Sequence, residues 1–144
     1  MHFIQVNNIT IIASCQLLIL SFLGICFLQS GIDKILNYKD NLLWLQNHFL
    51  KTIFKNYVSF LLIIIACFEF VGGSICLISV LSWIFWKDMA VRMFLGLAFW
   101  GLITTGICLV FLFLGQRIAK DYDGAYVLVN YFIVNIIGLA LLIL

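Results

Sequence analysis

Charge is what this sequence has least of. Only 10% of its 144 residues are Asp, Glu, Lys or Arg, against about 25% in soluble domains. Eight Lys and Arg against six Asp and Glu leave a net charge of +2. That is far too little to hold a nucleic-acid backbone. No CxxC occurs, and the cysteines are odd in number (Cys15, Cys26, Cys67, Cys76 and Cys108), each inside an apolar run. Neighbouring sulfurs for dithiol redox chemistry are therefore missing, and the cysteines read as small packing residues. The two histidines, His2 and His48, fall outside the apolar runs, so they do not jointly hold a haem or metal within a membrane. There is no glycine-rich phosphate loop and no nucleophile–base arrangement. The first eight residues carry no Lys or Arg, and no small-residue cleavage site closes the apolar run after them. A cleavable signal peptide is not expected. The segment Ile12-Ala13-Ser14-Cys15 lacks the basic flank and apolar length of a lipoprotein processing site.

What is abundant is apolar surface. Hydrophobic residues make up 65% of the chain and aromatics 16%, with no proline. A soluble sphere of this size could not bury so much. Four runs, at residues 9–32, 57–86, 89–114 and 125–144, are long enough to cross a bilayer, which takes about 20 apolar residues. They are continuous rather than alternating and too few for a closed barrel. The expected fold is all-α: one transmembrane domain spanning residues 1–144, an integral membrane four-helix bundle. Small residues at Ser21, Gly24, Gly31, Gly72, Gly73 and Cys76 permit close helix approach, and the Gly72-Gly73 pair reads as a packing notch.

The connection at 33–56 reads differently. From Asp40, a suitable N-cap, Leu42/Leu43, Phe49/Leu50 and Ile53/Phe54 lie opposite Asn47, His48, Lys51 and Lys55. This predicts an amphipathic interfacial helix over about residues 41–55, with Trp44 as an anchor against the lipid bilayer. A helix capping the bundle end is the alternative. Lys34, Lys39, Lys51, Lys55, Arg117 and Lys120 fall on one side, against Lys87 and Arg92 on the other. This excess places connections 1 and 3 in the cytoplasm and both termini outside.

Polar residues gather in three places: Gln29-Ser30-Gly31-Ile32-Asp33-Lys34 closing helix 1, Glu69 with Gly72-Gly73 in helix 2, and residues 115–125 joining helices 3 and 4. Topology brings the first and third together. Gln29, Asp33, Lys34, Arg117, Lys120, Asp121 and Asp123 then form either an ion-paired loop or an anion and headgroup site. At about 1.5 Å per residue, Glu69 lies roughly 18 Å into helix 2. Ser21, Thr104, Thr105 and Asn135 come to similar depths, which predicts a buried polar layer. Glu69 there is either a catalytic, proton-accepting group beside a quinone-like carrier, or a register pin bonded to Thr105 or Asn135.

Gly31 followed by Lys34, Glu69 followed by Gly72-Gly73, and Asp121-Tyr122-Asp123-Gly124-Ala125 opening helix 4 resemble the DoxX/DoxD-like family of small four-helix membrane proteins. The resemblance covers nearly the whole chain. It implies a membrane subunit of a quinone-linked redox system, as in thiosulfate:quinone oxidoreductase, in a bacterial or archaeal inner membrane. A quinone and partner proteins of a redox complex would then be its associates. The alternatives are a non-catalytic scaffold anchoring partners, and a small transporter that would need further copies of the chain.

Overall fold

The computed structural model describes residues 8–85 and 90–143. Five helices follow one another: α1 (Asn8–Leu36), α2 (Tyr38–His48), α3 (Val58–Phe85), α4 (Ala90–Ala119) and α5 (Tyr122–Leu141). All but α2 are long and apolar enough to span a membrane. The expected ends at residues 86, 89 and 144, with His2, Lys87 and the N-terminal stretch 1–7, lie outside the described residues.

Unlike a soluble protein's, the outer faces are apolar. Leu18, Phe60, Trp100 and Tyr126 are at least 62% exposed on the outer faces. The interior of α3 instead holds Glu69, Gly72, Gly73, Cys76, Ser79 and Ser82. Leu20, Leu23, Phe94 and Leu102 still fill the core, but large apolar side chains over the outer faces and small residues at the helix contacts are what hydrocarbon surroundings require. The protein is an all-α bundle of the integral membrane type.

α3 is the central helix, packed between α1 and α4. Consecutive glycines serve the two contacts. A Cβ on Gly73 would collide with the Leu28 backbone nitrogen of α1, and one on Gly72 would lie 2.9 Å from Thr105 Cγ2 of α4. Gly31 of α1 sits equally tightly on the Phe70 backbone. α5 packs on α4, touches α1 more sparsely, and is tied to α1 by Gln16 Nε2 donating to Leu141 O (2.6 Å).

Several boundaries differ from those expected. α1 runs on to Leu36, so Asp33 and Lys34 lie on its last turns; α4 extends to Ala119, and α5 begins at Tyr122. α2 starts at Tyr38, with Asn37 rather than Asp40 at its N-cap position, and ends at His48. Beyond it come successive short turns, with Thr52 N donating to Phe49 O, Lys55 N to Thr52 O and Tyr57 N to Phe54 O. The Thr52 hydroxyl explains the break: it donates to Phe49 O and accepts from Phe54 N, competing with helical bonds. The expected apolar pairs therefore split, with Phe49 buried and Leu43, Leu50 and Ile53 exposed.

A buried ion pair between two cavities

The tight contact of Gly31 on Phe70 brings Lys34, one turn further along α1, above Glu69. Lys34 Nζ lies 2.8 Å from Glu69 Oε2 and 3.0 Å from Oε1. It also donates to Ser30 Oγ at 2.7 Å. Glu69 is 2% exposed. The ammonium thus bridges both carboxylate oxygens, and no second donor is found on Oε2 among the described residues. An ion pair removed from water costs several kcal/mol per ion before attraction offsets it. A pair whose carboxylate is kept in the interior of a membrane bundle is therefore a functional candidate.

The pair lies between two cavities of about 230 Å³ each. The first lies between α2 with its following turns, α3 and α4. Leu45, Phe49, Phe54 and Phe111 form much of its apolar wall, with Lys34 and Gln116 as polar groups. Its volume falls below the roughly 300–1,000 Å³ of sites for drug-sized ligands and suits one ring-sized headgroup. The second lies among α1, α4 and α5, where Cys26, Ser30, Glu69 and Tyr131 join Phe27 and Leu128.

α2 covers the first cavity and is fastened at both ends. The Tyr38 hydroxyl meets Ser59 Oγ at 2.7 Å, and Asn41 Nδ2 donates to Asp33 Oδ2 at 3.3 Å. At the far end, His48 Nε2 is 3.0 Å from Gln116 Oε1 and 3.8 Å from Asp121 Oδ2. Trp44 stacks on the His48 ring at a centroid distance of 4.7 Å. Removing one such hydrogen bond costs about 1 kcal/mol. His48→Ala should therefore loosen α2 without unfolding the bundle. Hydrogen exchange should quicken at residues 45–50 and stay unchanged in α3 and α4; unchanged exchange at 45–50 would deny His48 a fastening role.

The expected surface cluster does not assemble around Lys34, which turns inward to Glu69. Asp33 accepts from Asn37 Nδ2 at 2.7 Å. Asp121 N-caps α5 by accepting from Gly124 N at 2.9 Å. The Arg117 guanidinium lies 4.8 Å from the Tyr122 ring centre. Gln29, Lys120 and Asp123 are exposed. Lys120 takes a left-handed conformation (φ 61°), and the Asp121 N to Gln116 O bond beside it closes α4.

The single polar layer also divides. Asn135 Nδ2 donates to Thr105 Oγ1 (2.8 Å) and to Leu102 O (3.0 Å), while Thr104 Oγ1 bonds its own helix at Trp100 O. Gly72 is level with Thr105, so Glu69, three residues away, lies about 4.5 Å nearer the α2 end. Ser21, ten residues before Gly31, lies about 15 Å toward the other end. The helices do not begin in one plane, and depths counted from each helix start carry that offset.

Comparison with known protein families, curated proteins and solved structures finds no match to this chain.

Proposed function

We propose that the protein is the membrane subunit of a redox system and binds the headgroup of a quinone-class hydrogen carrier in the apolar cavity under α2. The observation that carries this reading is the Lys34–Glu69 pair, with Lys34 at the wall of that cavity and Glu69 at the wall of the second. Lys34 and Glu69, which pair, each belong to one of the three short motifs that carry the DoxX/DoxD-like resemblance. Reduction of a quinone adds two electrons and two protons; the electrons come from a partner subunit carrying the reductant. Lys34, at the wall of the cavity under α2, would favour negative charge on a carrier bound there through its own positive charge. Glu69 holds Lys34 in place, and its carboxylate is the nearest base for proton exchange. The apolar wall at Leu45, Phe49, Phe54 and Phe111 matches a ring with an apolar tail.

In this reading the α2 end, which carries most of the basic residues, faces the cytoplasm of a bacterial or archaeal cell. The half-exposed Leu43, Trp44 and Leu50 rest in the bilayer interface. The test is photolabelling with a short-chain azidoquinone. Label should map to Phe49, Phe54 or Phe111 in the wild type and be lost in Lys34→Gln. Label spread over the outer faces, unchanged in Lys34→Gln, would favour the non-catalytic scaffold.

A further inference from the structure

We propose that the second cavity, among α1, α4 and α5, is a hydrated chamber in which water completes the hydrogen bonding of Glu69 and exchanges protons with it. Its walls differ in kind from those of the cavity under α2. Ser30, Glu69, Tyr131 and Cys26, all able to hydrogen-bond, line one open-sided pocket together with four apolar residues, Leu109 and Leu128 among them. A water fills about 30 Å³ at liquid density and is held where two to four polar partners surround it. The chamber's volume of about 230 Å³ has room for several.

The carboxylate itself supplies the independent reason. Glu69 Oε2 is buried, lies 2.8 Å from the Lys34 ammonium and has no second donor among the described residues. Each oxygen of a buried carboxylate can accept two hydrogen bonds, and ordered water supplies those that protein does not. Water on this side also lowers the desolvation cost of keeping both charges inside the bundle. Lys34 thus serves the apolar cavity, while the opposite side of the pair meets water. The use of that water, supplying the protons taken up by the carrier, rests on the function proposed above; the hydration does not.

The cysteines test this in the unaltered protein. Cys26 lines the chamber and is only half-buried, whereas Cys67 is exposed on the outside of α3, two residues from Glu69 and so at nearly its depth. Geometric exposure alone favours Cys67. Hydration reverses the order, because the ionised thiol, which needs water, attacks the sulfur of a charged methanethiosulfonate and expels methanesulfinate. The wild-type protein, in carrier-free vesicles of phosphatidylcholine, is treated with methanethiosulfonate ethylammonium, and the modified positions are read by peptide mass spectrometry. Cys26 should react on the order of tenfold faster than Cys67, or more. Leu128→Trp, which fills the chamber, should slow Cys26 and leave Cys67 unchanged. Reaction at Cys26 no faster than at Cys67 in the wild type would overturn the proposal, with no variant needing to fold. No quinone is present, so this outcome is separate from the fate of the carrier-binding reading.

Discussion

Gly73→Ala is expected to prise α1 from α3 and to destabilise the bundle by about 3 kcal/mol, the upper range for overpacking. The added methyl would meet the Leu28 backbone nitrogen and lie 2.9 Å from Leu28 Cα and 3.0 Å from Gly24 O. These are main-chain atoms of a helix and have no rotamer to escape into. Gly24 is a milder case, because its nearest neighbours are side-chain atoms of Leu77, which can turn away. Gly96→Ala provides the control: nothing lies within 4 Å of its added methyl, and alanine is the better helix former by about 1 kcal/mol. Thermal unfolding in detergent should rank Gly73→Ala far below wild type and Gly96→Ala at or slightly above it. Equal stabilities for the two variants would contradict the close approach of α1 and α3. Because that approach positions Lys34 over Glu69, Gly73→Ala should also weaken every property that depends on the pair.

The second large effect concerns the pair itself. Lys34→Met leaves a carboxylate that is 2% exposed without its cation, a loss of about 3–5 kcal/mol when one partner of a buried ion pair is removed. Glu69→Gln should cost less. The Lys34 side chain is 19% exposed, and its long stem can carry the ammonium outward to water. The double variant Lys34→Met/Glu69→Leu removes both charges and should recover most of the stability lost in Lys34→Met, as apolar replacement of buried pairs does elsewhere. The same double variant should bind no carrier. Recovery of stability without recovery of binding separates the pair's chemical role from a structural one. A double variant no more stable than Lys34→Met would mean that the two charges are not energetically coupled.

Much of the architecture was legible in the residues because hydrocarbon imposes a simple rule: long apolar runs must be helices. The glycines of α1 and α3 announced the close contact, and Glu69 stood out as a charge deep within an apolar run. The partner of Glu69 was not legible. Helix starts are offset along the bundle, so counting depth from each start aligned Glu69 with Thr105 and Asn135, which bond each other instead. Lys34 looked like a boundary residue because the apolar run stops at Ile32, but the helix continues to Leu36 and turns the side chain inward. His48 was visible only as a polar residue of an amphipathic segment. Its bond to Gln116 spans 68 positions, and no local pattern encodes a contact at that separation. The end of α2 was missed because one hydroxyl, on Thr52, outweighs a continuing apolar periodicity.

The central claim is that the Lys34–Glu69 pair serves a bound hydrogen carrier. It is tested most directly by a quinone inventory, by mass spectrometry, of the gently purified wild-type protein beside its Glu69→Gln variant, both verified as folded. The prediction is near-stoichiometric quinone in the wild type and its loss in Glu69→Gln, where Lys34 is free to swing away from the cavity under α2. Folded wild-type protein carrying no quinone, or a Glu69→Gln variant retaining it in full, would contradict the claim.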